Sequence, residues 1–369
     1  MPRKLASIVT IATCDPIPDT ERLSVTTMVG KGWQVVTGRD EYMPGQKAVY
    51  FEIDSYLPAE DPRYEFLKER CLRKFVSKSG QVLKEGIRIR TVKLRGVISQ
   101  GLLMPLENYQ ELIGMADGTD VTEMLHVEHY DEIVEALRPA TGNPVAAECM
   151  GRFPSDYIPK TDEERIQNLG DYFETMKGRA FEVTEKNDGS SVTVFLSATV
   201  DPENPFGVCS RNLRLKPVMS DGTVPVPWQL VEKYGLREKL ARANELNHSE
   251  LAFQGELVGP GVNGNRDLYT SHEWHVFRIW DIKNRQFLMP GHAQYLCEDL
   301  DIPYVPVISK FMKVFDEITS MDALLKFAEG KTARGHEREG LVFKSADDKP
   351  FVSFKAVSNA YLLKADRRT

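Results

Sequence analysis

Several things are missing from this sequence of 369 residues. No apolar stretch approaches the roughly 20 residues of a membrane span, and the N-terminal stretch has no apolar core of the signal-peptide kind. The expectation is a soluble, intracellular protein, cytoplasmic or nuclear, with no membrane partner. Cysteine is scarce: Cys14, Cys71, Cys149, Cys209 and Cys297 are odd in number, widely spread and form no C-x-x-C, which excludes a disulfide framework and a cysteine-based zinc site. There is no internal repeat and no low-complexity tract. Positive charge is in deficit, with 47 Lys and Arg against 54 Asp and Glu and a net charge of -7. That balance argues against a protein that coats nucleic acid indiscriminately.

The deficit is uneven. From Lys68 to Arg95 stand ten basic residues and only two acidic ones, Glu69 and Glu85. Such a block suits a phosphate backbone, with Arg88, Arg90, Lys93 and Arg95 as candidate contacts and Trp33 or Tyr56 as stacking platforms for bases. Around it, residues 1–105 read as short strands. Ile8–Ile11, Gly32–Val36, Ala48–Ile53 and Ile87–Arg90 are apolar or alternating runs, rich in β-branched and aromatic residues and separated by turn signals such as Pro44-Gly45. That many short strands predict a small all-β barrel of the OB type. From Tyr109 to about Arg138 the texture turns helical, and Pro139, Gly142 and Pro144 mark a linker, so residues 106–144 read as a helical connector. From 145 to 369, strands and helices alternate without a βαβ rhythm, which predicts an α+β domain with antiparallel sheets.

The most informative residues are Lys186-Asn187-Asp188-Gly189, at the end of the strand-like run Phe181–Glu185. A lysine amine, a carboxylate two residues on and a glycine supply a nucleophile, a metal anchor and a turn. A free lysine with a pKa near ~10.4 is a neutral nucleophile in only about one molecule in a thousand at neutral pH. A cation beside the amine would favour the neutral form. Four residues arise often by chance, so the segments downstream of them decide the reading. Ser210–Arg214 offers an arginine fork for phosphate. Phe253–Asn265 sets Glu256 among small residues where backbone can approach a ligand. In His275–Ile282, strand alternation puts Val276, Arg278, Trp280 and Ile282 on one face and Phe277 and Ile279 on the other, with Phe277 able to stack on a purine. Glu339–Lys344 and Val352–Lys355 are two further strand-like runs ending in lysine.

In this order the segments resemble the nucleotidyl motifs of the covalent nucleotidyltransferase superfamily, the polynucleotide ligases and mRNA capping enzymes. Lys186–Gly189 looks like motif I, Ser210-Arg211-Asn212 motif Ia, Glu256 motif III, Phe277 motif IIIa, Glu339-Gly340 motif IV and Lys355 motif V. Ser190-Ser191 after the motif I glycine looks like RNA ligases, whereas DNA ligases and capping enzymes usually carry an arginine there. Only 14 residues follow Lys355, so the C-terminal OB domain of those branches is not expected. An OB-like module in front is similar to the ATP-dependent RNA ligases of the Deinococcus and Naegleria type. One departure is Ser353, where relatives carry the first lysine of a K-x-K; Lys344 is the candidate replacement.

The resemblance implies an α+β domain of the DNA-ligase, ATP-grasp-like kind, and an enzyme that joins RNA 3′-OH and 5′-phosphate ends, such as those of a nicked duplex, through lysyl-AMP and RNA-adenylate. It implies ATP and Mg²⁺ or Mn²⁺ as cofactors, with Asp188, Glu256 and Glu339 around the metal and Phe277 on adenine. Glu185 would border the nucleobase, and Arg211, Lys344 and Lys355 would meet ribose or phosphate. A monomer is expected. The alternatives are a DNA ligase or capping-type guanylyltransferase, and an RNA-binding OB protein with an inactive transferase domain.

Overall fold

The computed structural model describes residues 3–141 and 148–365. Gly142 and Pro144 of the expected linker, and the last four residues of the expected C-terminal domain, lie outside the described residues. The chain forms two compact units, and neither is continuous in sequence. The first holds residues 1–146, 167–170 and 362–369, and the second residues 147–166 and 171–361. Among the described residues no helix is long and apolar enough to cross a membrane.

The first unit is built on short antiparallel strands, as the alternating runs predict. A five-stranded sheet runs in the order Leu102–Pro105, Lys47–Phe51, Ala6–Pro16, Leu23–Met28, Gln34–Gly38. A four-stranded sheet runs in the order Glu128–His129, Ser55–Pro58, Val82–Arg88, Leu72–Val76. Ile8, Val49, Phe51, Leu57 and Ile87 form one buried core with Tyr109, Leu112, Val121 and Leu125. The segment from Tyr109 onward is therefore less helical than its texture suggests. It holds a 3-10 turn at Gln110–Leu112 and becomes a helix only at Tyr130–Thr141, where Pro139 of the expected linker lies. Its apolar residues pack into the strand core instead of lining one helical face.

Burial also revises several first-unit expectations. Trp33 and Tyr56 are almost fully buried, with Trp33 Nε1 donating to Asn168 (2.6 Å) and the Tyr56 hydroxyl donating to the Arg73 carbonyl (2.8 Å), so neither can stack on a base. Arg88 is buried as well. Its guanidinium lies 4.0 Å from the Tyr130 ring centroid and 3.5 Å from Asp54, which makes it a part of the core packing and removes it from the phosphate contacts. Lys68 pairs with Glu65 (2.5 Å), Lys74 with Glu85 (2.8 Å) and Lys84 with Glu128, so much of the basic block is locally neutralised. Arg90 is half-buried, while Lys93 and Arg95 are exposed on a hairpin of Thr91–Leu94 and Val97–Gln100. Arg95 and Gly96 both have positive φ, 48° and 85°, as a tight two-residue hairpin turn requires.

The second unit carries two sheets. A seven-stranded antiparallel sheet is ordered Cys149–Arg152, Leu213–Leu215, Phe206–Cys209, Ser190–Leu196, Leu251–Val258, Glu273–Asp281, Gln286–Phe287. Helices Val226–Tyr234, Leu236–Asn247 and Pro290–Asp299 pack on it through Trp228, Leu240 and Leu296. A five-stranded sheet is ordered Glu164–Arg165, Ser353–Val357, Gly340–Ser345, Phe181–Lys186, Val307–Met312. Its pairs are antiparallel except the first, which is parallel. The expected α+β architecture with antiparallel sheets is what the chain adopts, with that one parallel addition.

Strand alternation decides what the five-stranded sheet presents. Phe181, Phe343 and Phe354 pack together on one face, the last two stacked at 4.6 Å. The register pairs Glu182 with Lys344, Thr184 with Val342 and Lys186 with Gly340, and then Lys344 with Ser353 and Val342 with Lys355. One face is thus aromatic core, and the other carries Lys186, Lys344 and Lys355 together.

Candidate active site

Lys186 is the last residue of its strand, and Ser190 begins the next one in the other sheet. The Asn187–Gly189 turn is therefore the crossover between the two sheets. Gly189 is needed there for close approach: a Cβ would lie 2.3 Å from the Leu257 carbonyl oxygen and 2.8 Å from Glu256 Cγ. Its φ is not among the positive ones, so the tight-turn role expected of it is not what fixes it. Gly340 repeats the device, with a Cβ 2.2 Å from the Ala356 carbonyl oxygen. Gly189 lets the crossover turn approach the Glu256 strand, and Gly340 lets the Glu339 end of its strand approach the Ser353–Val357 strand.

The lysine amine lies 2.8 Å from Glu339 Oε2. Burial opposes its charge, yet the carboxylates of Glu339, Glu256 and Asp188 outweigh that and raise the Lys186 pKa well above the ordinary lysine value. These carboxylates favour the ammonium form of the amine. Glu256 is pushed up to about 8 by burial, which the Lys186 charge and the Gly189 N–H only partly counter. Burial likewise raises Glu339, against the pull of Lys186 and Lys355. Asn263 Nδ2 donates to the Gly189 carbonyl at 2.5 Å and to Asp188 Oδ1 at 3.3 Å. Asp188 Oδ2 is buried without a hydrogen bond, 3.4 Å from Arg266 Nε. The Arg266 guanidinium lies 4.5 Å over the Tyr361 ring.

Phe277 owes its setting to a bulge. Gln254 pairs with Arg278 but Gly255 pairs with Val276, so Phe277 has no partner in the register. The extra residue reverses the alternation. Val276 and Ile279, expected on opposite faces, join one core, while Trp280 packs with Phe195 and Ala252. Phe277 is left half-exposed, and its carbonyl accepts from Lys344 Nζ at 2.8 Å. Lys344 stands opposite Ser353, as a replacement charge should, but its ammonium is buried and pairs with Glu182 at 2.5 Å. Its charge is spent internally.

The other candidates are dispersed. Glu185 points its buried carboxylate to the Ala333 N–H and the Arg338 charge, and burial raises its pKa. Arg211 forms a half-exposed ion pair with Asp162 at 3.1 Å. Residues that sequence reasoning passed over are Asn187, His275, Asn263, Arg266 and Tyr361. Asn263 lay inside a run read only as a close-approach loop; Arg266 and Tyr361 have no local signal, because their role depends on tertiary placement.

Among the described residues no group of three or more His, Cys, Asp or Glu forms a ready-made direct metal site. The donor set still fits a hard, hydrated divalent cation, since the carboxylates face one amine and Asp188 Oδ2 is buried with no hydrogen bond.

An OB-fold domain model matches residues 5–106, and an RNA ligase model matches residues 179–358. Solved structures similar to the chain include Naegleria gruberi RNA ligase with PPi, at 34% identity, covering 99% of this chain and 100% of that one with a TM-score of 0.81. A point mutant of the same enzyme with ATP and Mn is 34% identical over 98% of this chain and 99% of that one, TM-score 0.82. Another mutant, with AMP and Mn, is 34% identical over the same shares, TM-score 0.81. No curated protein matches in sequence. With a third of its residues identical over almost its whole length, an OB-fold domain in front and a lysine ringed by carboxylates behind, the chain belongs to the RNA ligase family.

Proposed function

We propose that this chain is an ATP-dependent RNA ligase that joins a 3′-OH to a 5′-phosphate, with a nicked duplex as its preferred substrate. The observation that carries the reading is the Lys186 amine, 2.8 Å from Glu339, held among three carboxylates at the crossover of two sheets. Lys186 Nζ, once deprotonated, attacks the ATP α-phosphorus; an N–P bond forms, the bond to pyrophosphate breaks and the amine proton leaves. An RNA 5′-phosphate oxygen next attacks that phosphorus and the lysine departs, regaining a proton. A 3′-OH then attacks the 5′-phosphate phosphorus and AMP leaves.

Asp188, Glu256 and Glu339 would hold Mg²⁺ or Mn²⁺ through its waters, and the chemistry that the ion supplies when bound is neutralisation of charge at the α-phosphate and around Lys186. Phe277, placed on a bulge next to the Glu256 strand, would stack on adenine. Lys355, on the Lys186 face of its sheet, would meet the α-phosphate. Glu185 would border the nucleobase and Arg211 would release Asp162 to engage substrate. Lys93 and Arg95 are the exposed members of the basic block that would contact RNA phosphates. The protein would act as a monomer.

Incubation with labelled ATP or GTP and Mg²⁺, followed by addition of nicked RNA, tests the reading. An AMP adduct that is chased into sealed RNA is expected. A GMP adduct, or no adduct from folded protein, contradicts it.

A further inference from the structure

The mechanism leaves one hydrogen-bond chain, buried at two of its three residues, unused. Asn187, between the nucleophile and Asp188, is buried, and its Nδ2 donates to His275 Nδ1 at 2.9 Å. An amide nitrogen can only donate, so Nδ1 accepts and the ring proton sits on Nε2, 3.1 Å from Glu273 Oε2. The ring of Tyr269 closes the third side, edge-on at 5.9 Å. His275 is itself paired with Glu256 across the strands and lies two residues before Phe277.

The location gives this chain its meaning. Lys186 and Glu339 belong to the five-stranded sheet, while Glu256 and Phe277 belong to the seven-stranded one. The Asn187–His275 bond ties the crossover turn sideways to the strand that carries Phe277. Glu273 fixes the tautomer that makes the bond possible. Nothing else about an asparagine side chain requires it to be buried here, and burial of the amide is tolerable only because it is bonded.

Resting on the ligase reading above, we propose that Glu273, His275 and Asn187 form a clamp that sets Lys186 against Glu256 and the nucleotide, with His275 as a positioning residue for lysine attack. The clamp matters when Lys186 is the nucleophile. It matters little when a 3′-OH attacks RNA already carrying AMP, because no bond to lysine is made or broken in that step.

The test compares wild type, His275→Leu and His275→Asn in two assays: lysyl-AMP formation across ATP concentrations, and sealing of RNA supplied already adenylated. His275→Leu should slow adenylylation about 10²-fold, the order expected for displacing a reacting group by an ångström, with the ATP KM little changed and pre-adenylated sealing kept. His275→Asn, whose amide oxygen stands near where Nδ1 was, should recover about tenfold of that loss. Should His275→Leu not fold, Asn187→Ala removes the same bond from the other side and is expected to give the same split. Equal losses in both assays, wild-type adenylylation by either variant, or no recovery with Asn overturns the clamp. Wild-type protein that forms no lysyl-AMP overturns the ligase reading itself, and the clamp with it.

Discussion

The two ends of one strand pair, Phe181–Lys186 against Gly340–Ser345, carry the same chemistry to opposite purposes. At one end Lys344 faces Glu182, and at the other Lys186 faces Glu339. Both lysines lie on the same face of the sheet. Lys344 is 3% exposed and bonded to Glu182, the Phe277 carbonyl and the Tyr304 hydroxyl, and burial lowers its pKa even against the Glu182 charge. Lys186 is 26% exposed and its pKa is raised by three carboxylates. Where every donor is satisfied, an ion pair is a structural cross-link. Where carboxylates outnumber the amine and the pair is partly exposed, the same contact leaves negative charge in excess, which a cation would neutralise.

The sharpest way to break the comparison is at Lys186. Lys186→Ala should abolish the lysyl-AMP adduct, and Lys186→Arg should be equally dead because a guanidinium stays protonated; gel detection of labelled AMP checks both. Lys344→Ala should instead unfold more easily, by about 3–5 kcal/mol in a denaturant titration, because Glu182 is left as an unpaired buried charge. Next in size, Glu256→Ala or Glu339→Ala should lower adenylylation at least ~10²-fold. Normal adenylylation by a folded variant would remove that carboxylate from the cation site.

A smaller effect should appear in pH-dependent stability measured with chelator present. Glu256 has an ordinary value of 4.5 and a folded value of about 8. A carboxyl whose folded pKa is raised favours folding fully below its unfolded value and loses that contribution as pH rises through the folded one. Glu256→Gln, which cannot ionise, should therefore gain in Tm relative to wild type between pH 5 and pH 8, and a gap that stays constant would contradict the buried-acid description. Smallest of all, Lys93→Glu with Arg95→Glu should weaken RNA binding and flatten its salt dependence by a slope of about 2, while adenylylation stays near wild type.

Much of this site was legible in sequence because its residues sit in short local patterns. Lys186–Gly189, Glu256 and Glu339-Gly340 are marked by glycines that the structure needs for close strand approach. Phe277 was legible as a strand aromatic, but its bulge was not, since a one-residue register shift leaves no compositional trace. The basic block misled in part because charge counts ignore burial: Arg88 is 8% exposed while Lys93 and Arg95 are open. The helical texture after Tyr109 misled because apolar residues at helical spacing can also fill an irregular core. Asn187 meets His275, and Arg266 meets Tyr361, only once the chain has folded.

The central claim is that Lys186, and not the more deeply buried Lys344, is the amine that carries AMP. Peptide mapping by mass spectrometry after incubation with ATP and Mg²⁺ addresses it directly. The expected result is an AMP-modified peptide containing Lys186, with Lys344 unmodified. Modification at Lys344, or at any lysine other than 186, would contradict the account.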